Sequence, residues 1–212
     1  MEEKMGKKWL FLLAMLVFCR SGYAVCAGEP KLYDINGGFE KGVEVTKYEG
    51  EYRKWAEQGI KLPEVWVRPY GWYPNCPDWT LEVVTDEKAA HSGKNFLKMT
   101  GTIYYQDDRW YVLEIKENYE ITVKVWAKDP NRATFKVMFY QYTVNEEVAK
   151  GSVPAPRSIQ SSPVLINEAA VPEWKQYTAK YVVPKAVPQV RRVNIVLIGN
   201  GTWFDDVEVE IK

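Results

Sequence analysis

Beyond residue 30, hydrophobic and polar positions alternate with a period of two in segments 80–85, 96–100, 119–127, 134–143, 176–183, 192–198 and 203–211. Successive side chains of an extended strand leave opposite faces, so this alternation predicts strands with one face in a core. The segments are rich in Val, Ile, Tyr, Phe and Trp and are bounded by Gly, Pro, Asn and Asp, which favour strands and turns respectively. In 119–127, Tyr119, Ile121, Val123 and Val125 share one face, and Glu120, Thr122, Lys124 and Trp126 share the other. In 134–143, Phe135, Val137 and Phe139 read as core, while Lys136, Met138, Tyr140 and Tyr142 make a mixed polar and aromatic face. The helix candidate is 48–58, polar nearly all round, a turn or two inside an insertion. Many short strands without interleaved helices predict an all-β fold, a jelly-roll β-sandwich of two antiparallel sheets in preference to a barrel.

Two stretches break the rhythm. Segment 41–78 carries Gly59, Pro63, Pro69, Gly71, Pro74 and Pro77 together with Trp55, Trp66, Tyr70, Trp72 and Tyr73. Segment 144–172 is punctuated by Pro154, Pro156, Pro163 and Pro172. Loops of this length are uncommon unless they bind something or move, so 41–78 reads as a long aromatic-rich insertion. Gly199-Asn200-Gly201 reads as a turn between the final two strands. No repeat or linker divides the chain, which predicts a single domain over 30–212.

The first 27 residues read as a signal peptide: Lys4, Lys7 and Lys8 precede an apolar run at 9–18, and Gly22, Ala24 and Ala27 offer small residues for cleavage after 24 or 27. Ten apolar residues are too few to span a bilayer, so no membrane span is expected after cleavage. The expected location is outside the cytoplasm: extracellular, periplasmic or on the cell surface. Cys19 lies in the leader and Cys76 in the mature chain, and Cys26 stays only if the cut follows Ala24. No disulfide framework is expected; a Cys26–Cys76 bridge is the one alternative.

Lys+Arg and Asp+Glu both number 28, for a net charge of zero. That balance speaks against nucleic acid, whose binding leans on a basic field. The 9 Trp and 14 Tyr suit a thick core, and they equally suit a surface stacking on sugar rings. Candidates for a carbohydrate site are Tyr140 and Tyr142 on the open sheet face, with Trp72, Tyr73 and Trp66 as a wall. Aromatic faces meet the C–H face of a pyranose while planar polar groups meet its hydroxyls. The competing reading puts Tyr140 and Tyr142 under a loop. Trp79, Trp126, Trp174 and Trp203 read as core and edge packing. Catalytic signals are thin: His91 is the sole histidine, no G-x-S-x-G elbow occurs, and carboxylate pairs are what any chain with 28 acids offers.

Five motifs stand in order along the chain: Asn36-Gly-Gly-Phe39-Glu40, Ala90-His91-Ser92-Gly93-Lys94, Tyr119 to Trp126, Trp174 ahead of a strand closed by Val183-Pro184, and Trp203-Phe204-Asp205-Asp206-Val207. Together they resemble the family 4/9-type carbohydrate-binding modules, the galactose-binding-like jelly rolls, over essentially 36–211. The chain departs from that family by some thirty residues of aromatic-rich insertion before Trp72. The resemblance implies a secreted, non-catalytic, monomeric module that binds a poly- or oligosaccharide. Alternatives are a structural or adhesion protein that has lost sugar binding, or a glycoside hydrolase-type activity on the same scaffold. It also implies a structural calcium (Ca2+) with carboxylates from Glu40 and Asp205 and backbone carbonyls near Asn36 and Lys94. By alternation Asp205 shares parity with Val207, Val209 and Ile211 and points inward, where a carboxylate needs a cation or donors. Capping of backbone N–H groups, or pairing with Lys94, is the alternative to calcium.

Overall fold

The computed structural model describes residues 31–46, 57–59, 66–75, 79–105, 113–115, 118–143, 159–161, 163–184 and 191–212. The proposed leader, Cys76 and nearly all of the helix candidate lie outside them. Among the described residues the strands are β1 (Lys31–Tyr33), β2 (Val43–Thr46), β3 (Trp66–Pro69), β4 (Trp72–Pro74), β5 (Thr80–Thr85), β6 (Asn95–Tyr105), β7 (Leu113–Ile115), β8 (Glu120–Lys128), β9 (Thr134–Thr143), β10 (Ile159–Ser161), β11 (Val164–Ala169), β12 (Lys175–Val182) and β13 (Arg191–Ile211).

Two long strands build both layers of a sandwich. Residues 191–198 of β13 pair with β9, and residues 203–211 pair with β8, which in turn pairs with β12. Alongside, β6 pairs with β13 and carries β5 on its first half and β4 on its last residues. One layer therefore runs β9–β13–β6–β4, with β10 and β11 at the outer edge of β9; the other runs β12–β8–β13–β6–β5, with β1 beside the end of β13. The layers meet face to face. Phe135 of β9 packs against Tyr177 of β12 (4.8 Å) and Phe204 of β13 (5.6 Å), and Phe139 packs against Tyr181 (5.6 Å). Every pairing is antiparallel, and the fold is the expected all-β jelly-roll sandwich.

The parity assignments hold in the interior. Ile121, Val123 and Val125 of β8 and Phe135, Val137 and Phe139 of β9 are all fully buried in one cluster with Val193, Ile195 and Leu197. Gly199-Asn200-Gly201 is not a turn between two strands. β13 runs through it with a bulge between Asn200 and Thr202, and Gly199 lies directly opposite Gly101 of β6. Gly101 has φ +106° and Gly201 φ +85°, a backbone that side chains rarely adopt. The two long strands thus turn the corner between layers together, at glycine.

The segments read as loops also contribute edges. β10 and β11 extend β9, while β2 and β3 form a separate two-stranded sheet. In β11 only Ile166 is buried, so its sequence has no alternation to betray it.

Candidate functional site

On β9, Phe135, Val137 and Phe139 face the core, so Tyr140 leaves the opposite side of the sheet. There it meets Tyr104 of β6, ring centroids 6.3 Å apart, and accepts a hydrogen bond from Asn75 Nδ2 on its hydroxyl (2.9 Å). Tyr104 stacks on Tyr73 of β4 at 6.0 Å. Arg68 of β3 lays its guanidinium 3.5 Å from the centroid of the Tyr73 ring. That guanidinium donates to Glu44 Oε2 (2.9 Å) and the Trp72 carbonyl (3.2 Å), and Glu44 Oε1 accepts from the Gly71 N–H (2.8 Å). The small β2–β3 sheet is thereby tied to the edge of the sandwich. Asn194 and Val196 of β13 lie on this same face, buried, opposite Tyr140 and Met138.

The face thus brings together Tyr73 and Tyr140, as expected, and adds Tyr104, Arg68, Asn75 and Asn194, which sequence reasoning missed. The alternation in 96–100 stops short of Tyr104, whereas β6 continues to Tyr105. Trp72 requires a correction. It is fully buried, packed edge-on against Tyr105 (5.4 Å) and tilted against Phe39 (5.9 Å), with its Nε1 donating to the Asn36 carbonyl (3.4 Å). Parity explains the exchange: adjacent residues of β4 face opposite ways, so Tyr73 can be on the outer face only if Trp72 is inside. The side chains of Tyr142 and Trp66 lie outside the described set. Tyr73 itself has Arg68 on one ring face, so it offers its edge and hydroxyl more than a stacking plane.

The second motif cluster has a different use. Loop 86–94 folds over the outer face of the other layer and is pinned there by carboxylates. Asp205 Oδ2 accepts from the backbone N–H groups of His91 (2.9 Å) and Ser92 (3.3 Å), and Glu40 Oε1 accepts from those of Lys94 and Asn95 (both 2.8 Å). Asp206 binds His91 Nδ1 (2.7 Å) and accepts from the Ser92 hydroxyl (2.8 Å). The His91 ring lies flat on Trp126 at 3.6 Å. Trp174 Nε1 and Lys128 Nζ both donate to the Ala89 carbonyl (2.8 and 2.9 Å). Trp126, Trp174 and Trp203 serve this packing, with Trp203 stacked on Phe96 at 4.9 Å.

Asp205 is not inward by parity, as alternation suggested. It pairs opposite Trp126 on the outer face, and a bulge between Asp205 and Glu208, with Asp206 at φ +43°, restores Val207 and Val209 to the core. Asp205 is nevertheless fully buried, beneath the loop. Burial first, and then the neighbouring Asp206 charge, push its pKa up to about 6, against the opposing pull of its N–H donors.

In this arrangement the residues named for calcium are met by protein donors. The carboxylates of Glu40 and Asp205 accept from N–H groups, the Asn36 carbonyl accepts from Phe39 N (3.1 Å), and the Lys94 carbonyl from Asp86 N (2.8 Å). No group of three or more metal-ligating side chains occurs among the described residues. The capping alternative describes what the carboxylates do. Nor do Ser92, His91 and Asp206 stand in triad order, since serine and histidine both bond the acid while a nucleophilic relay needs serine on the histidine. Among the described residues no helix is long and apolar enough to cross a membrane.

No protein-family model matches the chain, and no curated protein matches it. Solved structures do. The CBM22-1 and GH10 modules of Clostridium thermocellum endo-1,4-beta-D-xylanase 10B, complexed with xylohexaose, are 19% identical with a TM-score of 0.43, over 66% of this chain and 26% of that one. The CBM22-1 xylan-binding domain of Paenibacillus barcinonensis Xyn10C is 12% identical with a TM-score of 0.42, over 68% and 87%. An apo cyclase from Fischerella sp. is 12% identical with a TM-score of 0.47, over 86% and 97%. A fold alone does not fix function, which follows here from this chain's own side chains.

Proposed function

We propose that the protein is an exported, non-catalytic glycan-binding module that takes a poly- or oligosaccharide on the outer face of the β9–β13–β6–β4 layer. The observation that supports this most directly is the gathering of Tyr73, Tyr104 and Tyr140 with Arg68, Asn75 and Asn194 on one sheet face, away from the core. Apolar rings interleaved with planar polar groups are what a pyranose, apolar on its faces and hydroxylated at its rim, requires. Titrating soluble glycans against intrinsic fluorescence tests the reading. Tyr140→Ala should weaken binding by roughly 1–3 kcal/mol, the scale of one large side chain's burial. Unchanged affinity in that variant, or no glycan bound by the native chain, overturns it.

A second reading, attachment to another protein, is favoured by one specific feature. Val43, Val45 and Val67 of the β2–β3 sheet are about half exposed or more (48%, 65% and 49%). Val45 and Val67 are directly opposed and share a face, which is an apolar surface of the kind proteins use in docking. Substituting Val45 and Val67 with Thr leaves glycan binding intact if the first reading holds.

A further inference from the structure

We propose that Asn194 is the polar anchor of this face, its carboxamide oxygen accepting a hydrogen bond from a hydroxyl of a bound neutral sugar. The inference rests on the glycan-binding reading above and names the residue that selects within it. Asn194 lies on β13 between Val193 and Ile195, which both belong to the core, so its side chain leaves the sheet toward Tyr104 and Tyr140. It is 1% exposed, and its Oδ1 is buried with no hydrogen-bond partner. A buried acceptor without a donor destabilises a fold, and native structures contain few of them. Two residues further along the strand, on the same face, Val196 is buried as an apolar side chain. The face therefore buries apolar side chains beside Asn194, and its Oδ1 serves no hydrogen bond within the sandwich.

Its neighbours indicate what donates to it. Asn194 and Tyr140 are directly opposed, so their side chains rise from the sheet side by side. Asn75 reaches the Tyr140 hydroxyl from β4's end, placing a second planar amide beside the same ring. A sugar hydroxyl reaching in past the partly buried Tyr140 ring would meet the Asn194 oxygen buried beside it. Among the described side chains of the face, the charge of Arg68 is matched by Glu44 at 2.9 Å and Lys136 is exposed at the far end of β9, so none of them leaves an unmatched charge beside Asn194. A carboxylated or sulfated glycan gains nothing there, whereas a neutral one loses nothing.

The test uses the full mature chain, Asn194→Leu and, should the leucine variant fail to fold, Asn194→Val. Each is melted without sugar and titrated calorimetrically with β-1,4-linked xylose and glucose hexasaccharides and with an oligogalacturonate. The expected result is a melting temperature equal to or above that of the parent, with binding of a neutral hexasaccharide weakened about ten- to a hundredfold, the penalty for one unmade buried hydrogen bond. Unchanged affinity in the apolar variant overturns the anchor while leaving the glycan reading in place. Lower melting with unchanged affinity does the same and makes the amide structural. Preference for the oligogalacturonate overturns the neutral class. If the parent binds none of the sugars, the glycan reading fails and the anchor with it.

Discussion

Asp205 pairs with backbone donors yet remains costly to ionise, because burial and Asp206 outweigh three N–H groups. The sign of its pH dependence follows. Its folded pKa of about 6 lies above the ordinary 3.8, so the native state holds the proton more tightly than the unfolded chain. Below pH ~4 both states are protonated and there is no penalty; between about 4 and 6 a penalty of up to about 3 kcal/mol accumulates, and above 6 it is constant. Asp205→Asn keeps an acceptor for His91 and Ser92 and removes the charge. Denaturant titrations at pH 4 to 7 should show the variant gaining on the parent across that window and then running parallel; a difference independent of pH would contradict it. On β9, Phe139→Ala should cost about 3–5 kcal/mol of stability as a core truncation. Tyr140→Ala, on the other face of the same strand, should cost clearly less in the same denaturant titration, because Tyr140 is only partly buried.

Among the elements, the turn at 36–40 and loop 86–94 are joined to β13 at backbone distance. A Cβ on Gly37 would lie 1.8 Å from the Val207 carbonyl oxygen, and Val207 N donates to the Gly37 carbonyl at 3.1 Å. Gly37→Ala must therefore force the turn off β13, and a loss of about 2–3 kcal/mol by chemical denaturation is expected. The loop itself is held by donors meeting Glu40, Asp205 and Asp206. A latch of that kind needs no cation, so adding EDTA should leave the melting temperature where it was. A fall restored by excess calcium would mean that these carboxylates turn from their N–H partners to a metal, since a ligand of the native state stabilises by mass action.

At the scale of the whole molecule, β6 and β13 each serve both layers and join them through backbone pairing, and a fold independent of any disulfide is expected. Far-UV circular dichroism should be that of a β protein and should survive reduction; loss of the spectrum in a thiol reductant would contradict this. The alternation of apolar side chains was enough, by itself, to determine that the fold is all-β and which residues of β8 and β9 lie inside, because a period of two is a property of each strand alone. Aromatic chemistry placed Tyr73 and Tyr140 among the residues of interest. What alternation could not carry is everything that depends on a partner. A bulge shifts parity by one, which put Asp205 on the outer face; a glycine pair opposed across two strands turned an apparent hairpin into a corner; and Trp72, alike in composition to Tyr73, went inside because the Phe39 and Tyr105 rings close around it. Tyr104 and Asn194 joined Tyr140 only through the register of β6 and β9 against β13, and register is set by contacts between distant segments, which no local pattern contains.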